Sequence, residues 1–296
     1  ETELLQKAVM LSKADLMSEM VYEFTELQGL MGYYYSKIAK NDEKISLALK
    51  EQYLPSGENS ELPSTIFSSI VAMSNKIDNL MALFSVGKIP TGSKDPFALR
   101  RAALGVVKIA IEHKLDIDFK TIIEDLKVNY TNLDTKLLLE FFNERLFKIF
   151  DVNPTVLKAV LSSGETNIYK IYQKVEALNP VVESDNFKDY SATFKRVANI
   201  VKDVDLSTDL NINNSLFEQN EEKELYTNFE KIKATNFLSF DEELEALFDL
   251  KPQLDSFFEK VFVNHEDEKI KTNRKNLIAQ VYLGFRNIAD IKEITI

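Results

Sequence analysis

Apolar residues recur at helical spacing along almost the whole chain, and this pattern predicts a protein built from helices. In the first half, the apolar stripes predict helices over about 4–24, 42–53 and 64–86. Asp95 and Pro96 follow a loop that is rich in glycine and proline. An Asp–Pro pair is typical of an N-cap and a first helical position. We therefore predict a further helix from Pro96 to about His113.

The second half has the same periodicity and no strand-like alternation. It predicts helices over about 119–129, 134–150, 154–162, 164–177, 187–204, 215–233, 240–250, 252–260 and 267–288. Only 8 glycines and 7 prolines occur in 296 residues, too few for the many tight turns of a sheet-rich fold. We predict an all-α protein with two domains, 1–150 and 151–296. The boundary falls within 125–155, where no linker composition marks it.

Composition narrows the classes of function. The net charge of −11 excludes a globally basic nucleic-acid binder, although a local basic patch stays compatible with it. The absence of cysteine removes disulfides, thiolate zinc sites and cysteine nucleophiles, and it fits a reducing compartment. The longest uncharged run, 62–75, is too short and too polar to cross a bilayer. Because the chain starts at Glu1 without Met, we expect a piece of a longer protein.

Histidine limits the chemistry most strongly. His113 and His265 are the two histidines, and neither has an adjacent Asp. Metal-dependent phosphohydrolases of the His-Asp type need several such ligands, so we predict no metal site. A serine hydrolase is disfavoured because no Gly-x-Ser-x-Gly elbow occurs. The loop at 90–95 has one glycine and carries Asp95 where a phosphate would bind, which disfavours an ATP loop. We predict no catalytic residue in this chain.

Two basic helical segments stand out. In 190–202 an apolar stripe leaves Lys195, Asn199 and Lys202 on another face, with Arg196 at its margin. Such a face is either simply solvated or binds an acidic ligand.

The second segment is 267–288, where Lys271 and Lys275 lie outside the stripe and Arg274 falls on it. For Arg274, a structural pair with Glu266 or Asp267 is one interpretation. Composition and periodicity alone go no further than a helical module whose basic faces are either solvated or available to something acidic.

Several stretches resemble the β subunit of bacterial glycyl-tRNA synthetases. They are SKADL at 12–16, VYEFTELQGLMG at 21–32, PTGSKDPFALRRAA at 90–103, KRVANI at 195–200 and FFEKVFVN at 257–264. The match is collinear and covers nearly the whole chain. The first half resembles a His-Asp-like helical domain. The second resembles the helical anticodon-binding domain shared with arginyl-tRNA synthetases, whose hallmark is the Lys-Arg-Val-x-Asn-Ile helix.

The resemblance implies a cytoplasmic glycine–tRNA ligase in which the β subunit binds tRNA-Gly. It also implies an α subunit that makes glycyl-adenylate from glycine, ATP and magnesium, in an α2β2 hetero-oligomer. We expect neither DNA nor a membrane as a partner, and no cofactor in this piece itself. Gln52 and Asn75 stand where relatives show His and Asp, which speaks against ancestral metal chemistry.

The candidate tRNA-binding residues share a positive charge that can meet phosphates. They are Lys195, Arg196, Lys202, Lys271, Lys275, Arg100 and Arg101. Two alternatives stay open: a His-Asp-type metal phosphohydrolase in 1–125, and a structural module that docks the α subunit.

Overall fold

The computed structural model describes residues 1–295. Within this range it contains no β-strand and two isolated bridges, Thr91 with Lys94 and Asp118 with Asn167. The predicted all-α fold is thus confirmed. The helices are α1 (Thr2–Leu11), α2 (Glu19–Glu23), α3 (Leu30–Ile38), α4 (Glu43–Glu51), α5 (Ile66–Ser85), α6 (Leu99–Glu112), α7 (Phe119–Leu126), α8 (Thr135–Leu146), α9 (Pro154–Ser162), α10 (Ile168–Glu183), α11 (Phe187–Ile200), α12 (Asn220–Ala234), α13 (Phe240–Phe248), α14 (Lys251–Lys260) and α15 (Glu268–Arg286).

The helices form two compact units, and each has its own apolar core. The first unit comprises Glu1–Asp151 and Asn167–Tyr169, and the second comprises Val152–Thr166 and the residues from Lys170 onward. In the first unit α5 packs between α4 and α6 and buries most of an apolar face. In the second unit α11 packs on α14 and α15, and α12 packs on α14. These packed faces follow the apolar stripes in the sequence, as amphipathic helices require.

The long helix predicted over 4–24 is wrong, because the chain turns sharply after α1. Lys13 has a left-handed backbone with φ of 61°. Asp15 is buried in the turn that follows, where its carboxylate accepts hydrogen bonds from the Gly29 amide at 2.6 Å and the Tyr53 hydroxyl at 2.9 Å. The turn therefore delivers a carboxylate to two distant donors, and satisfying these polar groups outweighs local helix propensity.

The start of α6 also differs from the prediction. Asp95 does cap this helix, but its carboxylate accepts from the amides of Leu99 and Arg100 at 2.8 and 3.0 Å. The helix consequently begins at Leu99, after Ala98 in a left-handed conformation, and Pro96 lies outside it. The other predicted helices exist, with ends displaced by a few residues, most of all α10, which runs to Glu183 instead of 177.

Candidate nucleic-acid interface

Helix α11 presents opposite faces to the core and to solvent. Phe194 and Val197 are buried, whereas Lys195 and Arg196 are exposed. Phe194 packs on the ring of Phe285 from α15 with a centroid distance of 4.1 Å. Because its apolar face is held by this core, α11 can display two adjacent cations on a rigid element.

Arg196 has a fixed orientation. Its guanidinium lies over the ring of Phe258, 4.5 Å from the centroid, and donates a hydrogen bond to the Phe258 carbonyl at 3.1 Å. The ring and the carbonyl that orient the group are themselves neutral, and the Asp255 carboxylate lies close enough to interact with its charge. The positive charge of Arg196 remains available to an anion, while little side-chain entropy is left to lose on binding.

A cleft of about 560 Å³ opens beside Arg196 between α11, the segment after α14, and α15. We call it the polar cleft; it is lined by Arg196, Asn199, Ile200, Asp203, Phe258, Glu259, Lys260, Val261, Phe262, Val263, Asn264 and Lys275. Of the predicted residues, the polar cleft brings together Arg196 and Lys275. Lys275 has no hydrogen bond or ion pair within residues 1–295, so its charge also faces the cleft unpaired.

Three predicted cations do not line the polar cleft. Lys195 is exposed one turn before Asn199 on the same helix face, and Lys202 is exposed just beyond the end of α11. Lys271 donates to Glu268 at 2.9 Å. A lysine that already has a carboxylate partner offers an incoming phosphate less than a free one does.

Sequence reasoning missed several polar and aromatic residues that line the cleft, including the carboxylates Asp203 and Glu259. Lys260 is paired with Glu221 at 2.7 Å, and this hydrogen bond raises the pKa of Lys260. Phe262 is 70% exposed, and Asn264 follows it. The run from Phe257 to Asn264 shows no periodicity in sequence that would return it to α11, so only the structure reveals this placement.

Arg274 has different partners from those predicted. It is 2% exposed, and it contacts neither Glu266 nor Asp267 through a hydrogen bond or ion pair within residues 1–295. Its guanidinium binds Glu222 of α12 at 2.9 and 3.1 Å and Glu218 at 2.9 Å. The expected pair was wrong because α12 approaches α15 from 52 residues away, which local spacing cannot show.

The Arg274 cluster also shapes the polar cleft. Its remaining guanidinium nitrogen donates to the Phe262 carbonyl at 3.0 Å, which fixes the chain where the exposed phenyl ring begins. Burial alone would lower the pKa of Arg274, but its hydrogen bonds and charge interactions with Glu222 and Glu218 raise it. A buried, always-charged arginine therefore positions the aromatic edge of the cleft.

The last two predicted cations lie on α6 of the first unit. Arg100 donates to the carbonyls of Lys94 and Gly92 at 3.3 and 2.6 Å. Arg101 is exposed, with no side-chain partner within the described range. Both residues line a separate cleft.

The residues at the expected ancestral metal positions bind the protein itself. Gln52 accepts from the Lys13 amide at 2.8 Å and donates to the Leu49 carbonyl at 2.8 Å. Asn75 is within 3.3 Å of the Ser12 hydroxyl. Within residues 1–295 no group of three or more His, Cys, Asp or Glu side chains could hold a metal ion.

The two histidines also have partners within their own units. His113 is 2.9 Å from the Pro63 carbonyl. His265 accepts from the Asp267 amide at 3.0 Å. A search of the same residues for a helix with the length and apolarity of a membrane span finds none.

Two family models match the chain, and they divide it in order. A model described as glycyl-tRNA synthetase beta subunit matches residues 1–162. A model described as a DALR anticodon-binding domain matches residues 190–295. The second match includes α11 from residue 190 onward, α15 and the whole polar cleft, and it confirms the expectation of a helical anticodon-binding module in the second half.

Curated relatives match the chain from end to end. The glycine–tRNA ligase beta subunit of Helicobacter pylori strain G27 is 45% identical over 301 aligned residues, which cover 99% of this chain. The subunits of the same name from Sulfurihydrogenibium sp. and Clostridioides difficile strain 630 are 36% and 35% identical, covering 99% and 97% of the chain. The chain spans 43–44% of the length of these relatives.

Proposed function

The chain belongs to the glycyl-tRNA synthetase beta-subunit family, and we propose that it is a tRNA-binding region of a glycine–tRNA ligase. The observation that carries the proposal is the polar cleft within the residues matched by the anticodon-binding model. There, Arg196, Lys275 and the exposed ring of Phe262 lie on a rigid helical core, beside the carboxylates of Asp203 and Glu259. Phosphates and unpaired bases are the two chemical features that such a surface recognises.

We assign the cations to phosphates. Arg196 presents a planar guanidinium, which matches the geometry of a phosphate in two hydrogen bonds, and Lys275 adds a point charge. Lys195 and Lys202 extend the positive face along α11 and beyond its end. Lys271 contributes less in this proposal, because Glu268 already neutralises it.

We assign Phe262 and Asn264 to unpaired bases. An exposed phenyl ring stacks on any base and contributes about 1–3 kcal/mol per base. The amide of Asn264 can donate to and accept from a base edge. Because Arg274 binds the carbonyl of Phe262, a stacked base would meet a positioned ring.

Glycine activation is proposed to occur outside this chain, in an α subunit that uses ATP and magnesium. The names of the relatives, each a beta subunit of glycine–tRNA ligase, support an assembly of that kind. We propose an α2β2 hetero-oligomer in the cytoplasm, with this chain divided into domains 1–150 and 151–296. The first domain keeps a His-Asp-like helical fold in this proposal, without its metal chemistry.

A titration with tRNA-Gly at several salt concentrations tests the function. We expect the logarithm of the association constant to fall linearly with the logarithm of the salt concentration, because each phosphate contact releases counterions. A tRNA with a foreign anticodon should bind at least about tenfold more weakly, since each lost base contact costs about 1–3 kcal/mol. Equal affinity for both tRNAs would contradict the anticodon assignment.

A matched pair of variants locates the contact. Lys275→Glu reverses a charge in the polar cleft, whereas Lys231→Glu makes the same change at an exposed position of α12 outside it. We expect Lys275→Glu to weaken binding about tenfold and to lower the salt slope by about one, and Lys231→Glu to leave both unchanged. No binding of tRNA-Gly together with retained α-subunit binding would favour the structural-module alternative.

A further inference from the structure

The first unit contains a cleft that is far more basic than the −11 charge of the chain would suggest. We call it the arginine cleft; it has a volume of about 300 Å³ and is lined by Glu58, Arg100, Arg101, Leu104, Arg145 and Lys148. Four of its six lining residues are cations, and they come from α6 and from the end of α8. Since α6 packs on α8, these cations share one rigid frame.

Arg100 is positioned in this cleft without being neutralised. Its guanidinium donates to the carbonyls of Gly92 and Lys94, which are dipoles and not charges. Two nitrogens of the fork are thereby anchored, and the guanidinium has further N–H groups to donate. An anion that approaches Arg100 meets a charge that is already oriented.

Arg145 carries the clearest sign of an absent partner. Its guanidinium lies over the ring of Phe141 at 5.0 Å and donates to Glu144 at 2.6 Å. Its Nε atom is buried and has no hydrogen-bond partner among residues 1–295. A buried donor without an acceptor is destabilising, and an anion in the cleft would lie near the guanidinium that carries this donor.

Arg101 and Lys148 complete the positive lining. Both are exposed, and within the described residues neither side chain has a hydrogen bond or ion pair. Glu58 supplies the one carboxylate of the lining, and its backbone carbonyl accepts from a further cation, Lys108, at 2.5 Å. With Glu144 counted as the partner of Arg145, the cleft still carries an excess of positive charge.

We propose that the arginine cleft binds phosphate groups of an RNA backbone, with Arg145 and Lys148 completing the site that Arg100 and Arg101 begin. This inference rests on the proposed function, because it takes tRNA-Gly as the RNA. Arginine forks match phosphate oxygens in paired hydrogen bonds. A backbone contact of this kind positions RNA without reading its sequence, so the arginine cleft complements the base-reading role of the polar cleft.

A pair of double variants with the same change in charge tests the proposal. Arg101→Ala with Lys148→Ala removes two unpaired cations from the arginine cleft. Lys120→Ala with Lys136→Ala removes two exposed lysines of the same unit that do not line it. Lys136 also lies on α8, nine residues before Arg145 and therefore about 14 Å away along the axis.

We expect the first double variant to bind tRNA-Gly about tenfold more weakly, with a salt slope lower by about one to two. The control should match the wild type, and thermal unfolding should show both variants folded. The first double variant should bind a tRNA with a foreign anticodon more weakly than the wild type does by the same factor, because a phosphate contact is independent of sequence.

Three outcomes would overturn the inference in different ways. Unchanged tRNA-Gly affinity in the first double variant, with Lys275→Glu still weakened, would reject the arginine cleft and keep the proposed function. Absence of tRNA binding by the wild type would reject both. If millimolar inorganic phosphate or pyrophosphate binds in the wild-type cleft while the first double variant loses no tRNA affinity, the site belongs to a free anion and not to RNA.

Discussion

At the scale of single residues, Arg274 shows how a buried charge positions a surface. Its guanidinium joins Glu222, Glu218 and the Phe262 carbonyl within hydrogen-bond distance, and Glu222 is fully buried. The same Glu222 carboxylate accepts from the amides of Glu218 and Gln219 at the start of α12. Arg274 thus links α15, the N-terminus of α12 and the aromatic edge of the polar cleft.

Replacing this arginine should be strongly destabilising. We expect Arg274→Ala to lower the free energy of unfolding by about 3–5 kcal/mol, because it leaves the Glu222 carboxylate buried without its counter-charge. Urea titration of the variant and of Lys275→Ala, its neighbour on α15, measures the difference. Lys275→Ala, the control, should lower the free energy of unfolding by no more than about 0.5 kcal/mol. A loss below about 1 kcal/mol for Arg274→Ala would show that the cluster does not carry this stability.

Lys76 makes stability depend on pH in the alkaline range. Its ammonium donates to the Tyr53 carbonyl at 3.1 Å, and burial lowers its pKa from 10.5 to about 8. Below pH 8 the native state bears a buried charge that the unfolded chain carries at no cost. Between about pH 8 and 10 the unfolded chain holds the extra proton, so stability rises with pH.

We expect the free energy of unfolding to gain up to roughly 3 kcal/mol from Lys76 over this interval, by the conversion of a pKa shift to free energy. Lys76→Met should remove that gain and flatten the profile. Urea titrations of both proteins from pH 7 to 10 give the difference, in which groups common to both cancel. Tyr130, whose pKa burial raises to about 12, acts in the opposite direction above pH 10. Parallel profiles for the two proteins would contradict the assignment.

At the scale of elements, α11 is the helix whose exposed cations can be tested together. We expect Lys195→Glu with Arg196→Glu to weaken tRNA-Gly binding about tenfold or more and to lower the salt slope by about two. Its apolar face keeps its contact with Phe285, so the helical circular-dichroism spectrum should stay intact. Lys223→Glu with Lys231→Glu on α12 makes the same change in charge. Equal tRNA affinity of the two double variants would contradict the role of α11.

The same scale explains what could be predicted from sequence. The existence of most helices follows from the 3.6-residue apolar period, which depends only on neighbours in the chain. Their ends depend on distant donors and acceptors, as when Asp15 is bound by Gly29 and Tyr53 and breaks a predicted helix. The polar cleft was predictable in its α11 part and at Lys275 of α15, whereas Lys260 and Phe262 reach it through tertiary packing.

At the scale of the whole molecule, an acidic chain carries two local basic surfaces. The net charge of −11 repels RNA at long range, whereas in our proposal the two clefts attract it within about a Debye length, roughly 8 Å at physiological salt. Specific docking is thereby favoured over diffuse adhesion to the protein surface. Salt should weaken the attraction at the clefts, which is why each variant above is compared by its salt slope as well as its affinity.

The whole chain should also be unable to activate glycine. In the proposed function, adenylate formation from glycine and ATP belongs to the α subunit and not to this chain. We expect the purified chain to show no glycine-dependent exchange of pyrophosphate into ATP, even at saturating glycine and magnesium. A complete ligase that contains both subunits is the positive control, assayed at the same site concentration. Exchange by the chain alone, undiminished after removal of any co-purified ligase, would place a catalytic site within these two helical units.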